Sequence, residues 1–131
     1  MNTYLLDSSV IIDVLNNKRA RDTLLLRLLA EGHLLACCAL NVAEVYAGMR
    51  SHEQARTDVL VDSLQYVEIT RHIAKHAGRL KFEWARKGVT LSTPDTTIAA
   101  VALAHKLILI TDNRKHYPMP ELRLFEESLE R

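Results

Sequence analysis

Short apolar runs alternate with longer stretches of helical periodicity along the whole chain. The first run, TYLLD at residues 3–7, is too short for a helix and reads as a buried strand that ends on an acid. SVIIDVLNN follows as a helix, with Ser8 or Ser9 able to cap it. ARDTLLLRLLAEG carries leucines at helical spacing and stops at Gly32. HLLACC is a second strand, and NVAEVYAGM a helix opened by Asn41 and closed near Gly48. Residues 52–63 continue as helix, QYVEI is a β-favouring run, and residues 73–86 form an amphipathic helix stopped by Gly88. TPDTTIAAVALAHK is a helix with Thr93 as its cap and Pro94 at its first position. LILIT is the most apolar strand, and LRLF a short last one.

Strands that alternate with helices require crossovers, and crossovers make a mostly parallel sheet with helices on both faces. The expected class is α/β, three layers, with a central sheet of four to five strands. The near-continuous apolarity of the strands agrees, because such a sheet is buried on both sides. Function then collects at the carboxyl ends of the strands.

At 131 residues the chain suits one domain, spanning residues 1–131. The formal net charge of +1 supplies no composition-level argument for nucleic acid. The charge is uneven, however: residues 71–88 hold six Lys and Arg against Glu83 alone. That segment reads equally as a steering surface for a polyanion and as a solvated helix face. Cys37 and Cys38 are adjacent, cannot form an ordinary disulfide, and belong to no zinc-spaced array, which fits a reducing compartment. No signal-like start or membrane-length apolar run is visible, so a cytoplasmic protein without a membrane partner is expected.

Four acids fall at helix starts or strand exits. Asp7 ends the first strand and reads as a turn or cap residue as well as a site acid. Glu44 lies three residues after Asn41, the spacing of a capping box. Asp95 sits in the first turn of its helix, where the dipole favours a carboxylate. Asp112 leaves the LILIT strand beside Asn113, which is also turn chemistry. Asp13, one turn into the first helix, reads as exposed or as a supporting residue, His116 as a surface or packing residue, and Trp84 as core or dimer packing. Individually each acid is ambiguous. A parallel sheet brings strand exits and helix starts to one edge, where crowded carboxylates repel unless a cation sits among them. Oxygen ligands without His or Cys suit Mg²⁺ or Mn²⁺, and phosphodiester hydrolysis is the natural chemistry.

LLDSSVIID, NVAEVYAG, TPDTTIAAVALAHKLILITDN and KHYP, in this order and spacing, resemble the PIN-domain family, most closely the VapC-type toxins of toxin–antitoxin pairs. The resemblance runs from Tyr4 to about Phe125. It implies a PIN-like fold, frequent homodimers, a Mg²⁺- or Mn²⁺-dependent endoribonuclease acting on structured RNA such as tRNA or rRNA, and a VapB-type antitoxin laid across the acidic groove. It maps the family's acids onto Asp7, Glu44 and Asp95, and the following hydroxyl onto Ser9. The fourth acid position is Asn113, with Asp112 one residue earlier. On this reading Asp7 and Asp95 hold the metal, and Glu44 is a ligand through water or the general base. Asn113 or Asp112 orients the nucleophile or a second metal, and Ser9 and Thr111 position carboxylates. Arg50, Arg56, Lys75, Arg79, Arg86, Lys87, Arg114 and Lys115 are candidates for RNA phosphates. The rivals are a PIN-like module that binds RNA or protein without catalysis, and an acid-pocket phosphotransfer or receiver fold. The aspartyl phosphotransfer pattern would need an Asp where Ser9 stands.

Overall fold

The computed structural model describes residues 1–126. Five strands, β1 (Thr3–Leu6), β2 (Leu34–Cys38), β3 (Gln65–Val67), β4 (Ile108–Ile110) and β5 (Arg123–Leu124), make one sheet in the order β3-β2-β1-β4-β5. Every neighbouring pair is parallel. The helices are α1 (Ser8–Leu15), α2 (Arg21–Ala30), α3 (Ala39–Gly48), α4 (Gln54–Ser63), α5 (Arg71–Arg86) and α6 (Thr93–His105).

The pleat sorts the strand residues into two cores. Leu5, Ala36, Cys38 and Leu109 face α5 and α6, where they meet Ile73, Leu80, Ile98 and Val101. Tyr4, Leu6, Leu35, Cys37, Ile108 and Ile110 face the other way, onto Val10, Ile11, Leu24 and Leu28 of α1 and α2. Both faces are thereby covered, giving the expected three layers. The same alternation sends the two cysteines to opposite sides of the sheet, both buried and both free. Trp84 is partly buried against the α5–α6 core, with Lys87 Nζ 4.5 Å above its ring.

Two helices stop as their glycines predict. Gly32 and Gly88 take positive φ, 89° and 86°. His33 N–H returns to the Leu28 carbonyl and Val89 N–H to that of Trp84, the double closure that needs a left-handed residue after the helix.

At three helix starts the fold decides between the expected caps or departs from them. Asp7, not Ser8 or Ser9, caps α1, its side chain accepting from Ser8 N–H at 2.8 Å. α3 begins at Ala39, ahead of Asn41, because Asn41 Oδ1 reaches back to Cys38 N–H at 2.9 Å. Asn41 is thus the inner member of the capping box and Glu44 has no part in it. α6 is capped by Ser92, one residue before Thr93, through a 3.2 Å bond from Asp95 N–H. Asp13, read as exposed or supporting, is buried among arginines. Among the described residues no helix is long and apolar enough to cross a membrane.

Candidate active site

The strand order turns back between β1 and β4: one crossover series leads from β1 to β2 and β3, the other to β4 and β5. In open parallel sheets the ligand crevice lies outside the carboxyl ends at such a reversal. Asp7 leaves β1 there, its N–H bonded to the Ile110 carbonyl at 2.9 Å. Thr111 leaves β4 there, and its hydroxyl donates to Asp7 Oδ2 at 2.6 Å. The two strand ends are therefore joined at the switch point by a side-chain hydrogen bond.

Asp95 arrives from the first turn of α6. The Tyr117 hydroxyl stands between it and Asp7, 3.2 Å from Asp95 Oδ1 and 3.4 Å from Asp7 Oδ2. His116 Nδ1 lies 3.2 Å from Asp95 Oδ2. Glu44 comes from α3. Its Oε1 accepts from Ser8 Oγ at 2.5 Å, and Ser8 Oγ accepts from Asn41 Nδ2 at 3.2 Å. Asn41 is fully buried, so the relay from α3 through Ser8 back to Glu44 rests on a fixed base. The hydroxyl that reaches a carboxylate is Ser8's. Ser9 Oγ is enclosed without a hydrogen-bond partner among the described residues.

Burial raises the Asp7 carboxyl above its ordinary value of 3.8, and the charges of Asp95 and Glu44 add to this, while the Thr111 hydroxyl and Ser8 N–H pull it down. Asp7 therefore feels both other acids. Burial also pushes the Tyr117 phenol far up, with Asp7 and Asp95 adding to it, so Tyr117 keeps its proton and acts as a donor.

Asp112 is placed differently. Its carboxylate meets Arg19 Nη1 at 2.9 Å and pairs closely with Arg21, and both arginines also face Asp13. Asn113 gives its backbone N–H to Thr111 Oγ1 at 3.0 Å and leaves its side chain exposed. The cations divide as well. Arg50 pairs with Glu53, Arg114 with Glu126, and Arg56 binds the Leu15 carbonyl. Lys75, Arg79, Arg86 and Lys87 are exposed on α5 and make no ion pair among the described residues, and Lys115 is exposed likewise.

Sequence reasoning missed Tyr117, Ser8 and Asn41. KHYP carried the tyrosine in plain view, but an aromatic residue after a strand reads as packing. Only the fold shows that its hydroxyl ends between two acids.

The donor set fits a hard divalent cation. All its atoms are oxygens, and a cation would offset both the burial that chiefly raises Asp7 and the added repulsion from Asp95 and Glu44. Asp7 and Asp95 already share one hydroxyl, while Glu44 is turned onto Ser8. Consistent with that, no three His, Cys, Asp or Glu side chains among the described residues are gathered around one point. The fit is therefore to two direct ligands, with Glu44 one step away.

The chain matches the PIN domain family over residues 4–122. Ribonuclease VapC19 of Mycobacterium tuberculosis is 30% identical over 120 residues, 91% of this chain and 96% of that protein. Ribonuclease VapC2 of Haemophilus influenzae is 30% identical over 122 residues, 89% of this chain and 91% of that one. The solved structure of VapBC2 from Rickettsia felis, bound to a promoter DNA fragment, shares the fold with a TM-score of 0.82 at 22% identity, over 94% of this chain and 97% of that one. A family match over nearly the whole length and relatives at this identity place the chain in the PIN-domain family, among the VapC proteins.

Proposed function

We propose that the protein is a Mg²⁺-dependent endoribonuclease, with Mn²⁺ also effective, that hydrolyses phosphodiester bonds in structured RNA, tRNA or rRNA, as the toxin of a VapBC-type pair. The observation that carries this reading is the pairing of Asp7 and Asp95 across the Tyr117 hydroxyl at the β1–β4 reversal, with Glu44 turned onto the neighbouring Ser8. The relatives' ribonuclease names support the reaction class.

Asp7 and Asp95 would hold the cation. Bound there, it would neutralise phosphate charge and make water easier to deprotonate. Glu44 acts as the general base. Ser8 fixes its Oε1, and its Oε2 takes no hydrogen bond among the described residues and is open to a water proton. Thr111 holds Asp7 in place. Asn113, whose side chain is exposed and uncommitted, orients the attacking water; Asp112 is occupied by arginines. The exposed cations Lys75, Arg79, Arg86, Lys87 and Lys115, in no ion pair among the described residues, bind RNA phosphates. A VapB-type antitoxin covers the acidic groove, the active form is a homodimer, and the complex works in the cytoplasm.

The test is cleavage of defined RNAs by the purified protein with Mg²⁺ or EDTA, beside Asp7→Asn. Loss of cleavage with either change is expected. Cleavage that survives both would sink the proposal.

A further inference from the structure

Tyr117 is a buried tyrosine whose ring packs with Leu5, Ile98 and Met119 in the α5–α6 core. A phenylalanine would fill the same space. The hydroxyl therefore has no packing role, and burying it costs free energy unless it is hydrogen-bonded. Its partners are Asp95 Oδ1 at 3.2 Å and Asp7 Oδ2 at 3.4 Å. One proton cannot serve both at once. Asp7 Oδ2 already takes the Thr111 hydroxyl at 2.6 Å, whereas Asp95 Oδ1 has no other donor among the described residues. The phenol proton thus goes to Asp95, and the phenol oxygen lies against Asp7. The phenol thus pins Asp95 Oδ1 beside Asp7, whose own Oδ2 is pinned by Thr111.

We infer that Tyr117 is a positioning residue: its hydroxyl sets the spacing of Asp7 and Asp95 so that the pair can share one divalent cation. This rests on the proposed metal-dependent reading of the same site. It predicts a role for Tyr117 through the two acids, with no contact to the RNA.

Tyr117→Phe keeps the ring and removes the hydroxyl. Titration of Mn²⁺ and of Mg²⁺ into wild type and variant by calorimetry reads cation affinity without any RNA. Loss of a hydrogen-bonding partner behind metal ligands typically weakens affinity ten- to a hundredfold, and about tenfold is expected here. Cleavage by the variant should fall at limiting cation and recover at saturating cation, while its melting temperature in EDTA stays close to wild type. Thr111→Val serves as the second variant, because it strips a hydroxyl from Asp7 and leaves the bridge to Asp95 intact. Its affinity loss should add to that of Tyr117→Phe in the double variant. Equal or tighter cation binding by Tyr117→Phe overturns the inference while leaving the metal-dependent reading in place. A wild-type protein that binds no cation overturns that reading and the inference together.

Discussion

Ser8 and Ser9 are adjacent and chemically identical, yet the helix turn separates their surroundings. Ser8 Oγ links Asn41 to Glu44, while Ser9 Oγ is enclosed without a partner among the described residues. A buried hydroxyl without a hydrogen bond costs about 1–3 kcal/mol of desolvation. Ser9→Ala should leave cleavage unchanged and hold or raise stability by about 1 kcal/mol. Ser8→Ala should lower kcat about tenfold, because Glu44 loses the group that orients it. Steady-state cleavage and urea unfolding of both variants check this, and a reversed pattern would return the supporting role to Ser9. The sequence could not separate the two serines, since a helix start offers two neighbouring hydroxyls and only the rotation of α1 decides which meets α3. Glu44 was obscured for a related reason. The Asn41 spacing mimics a capping box that the fold builds from Cys38 and Asn41 instead, which leaves the Glu44 side chain to the site.

At the level of whole elements, backbone strain is concentrated in the segment between α1 and α2, with Lys106 after α6 the further non-glycine residue at positive φ among the described residues. Asn17, Arg19 and Ala20 all have positive φ, between 52° and 57°, which non-glycine residues adopt at a cost of about 1 kcal/mol or more each. Arg19 and Arg21 hold this turn down by gripping Asp13 on α1 and Asp112 after β4. Arg21→Ala leaves Asp13 and Asp112 to the exposed Arg19 and should cost about 1–3 kcal/mol in chemical denaturation. Asp112→Ala removes one grip, so it should lower stability by less and retain cleavage at saturating cation. Loss of cleavage as complete as in Asp95→Asn would make Asp112 a site acid after all. α5 shows a different division of labour. Its apolar face is committed to the core, and its Lys and Arg side chains have no ion pairs among the described residues. If they bind RNA, each of Lys75→Ala, Arg79→Ala and Arg86→Ala should reduce the slope of log affinity against log salt by about 0.7–0.9. Arg50→Ala, whose side chain is paired with Glu53, should change it less.

For the molecule as a whole, the sheet was legible because period and composition agree: LILIT and TYLL are apolar on both faces, and only a parallel sheet covered twice accepts that. The site was legible only as an edge, since which acid turns inward is decided by side-chain partners distant in sequence. Thr111 and Asp7 are 104 residues apart, and Tyr117 and Asp7 110. The burial of Asp7, with Asp95 and Glu44 near it, has a consequence for global stability. Folding makes Asp7 hold its proton more tightly than the unfolded chain does. The resulting cost is absent well below the unfolded value near 3.8, grows as pH rises from there through the raised folded value, and persists at neutral pH. A cation shared by Asp7 and Asp95 would offset it. At about pH 7, Mg²⁺ or Mn²⁺ at a hundred times its dissociation constant should stabilise the fold by about 2.7 kcal/mol. For a chain of this size that raises Tm on the order of 10 °C, and EDTA reverses the rise. The same cation concentration should shift Tm progressively less as pH falls through the window in which Asp7 gains its proton, because the ligand charge is lost. Asp95→Asn should flatten the response at every pH. Circular-dichroism melts across pH, with cation or with EDTA, measure all of these. A Tm indifferent to cation at neutral pH would remove the carboxylate cluster as a metal site, whatever the fold resembles.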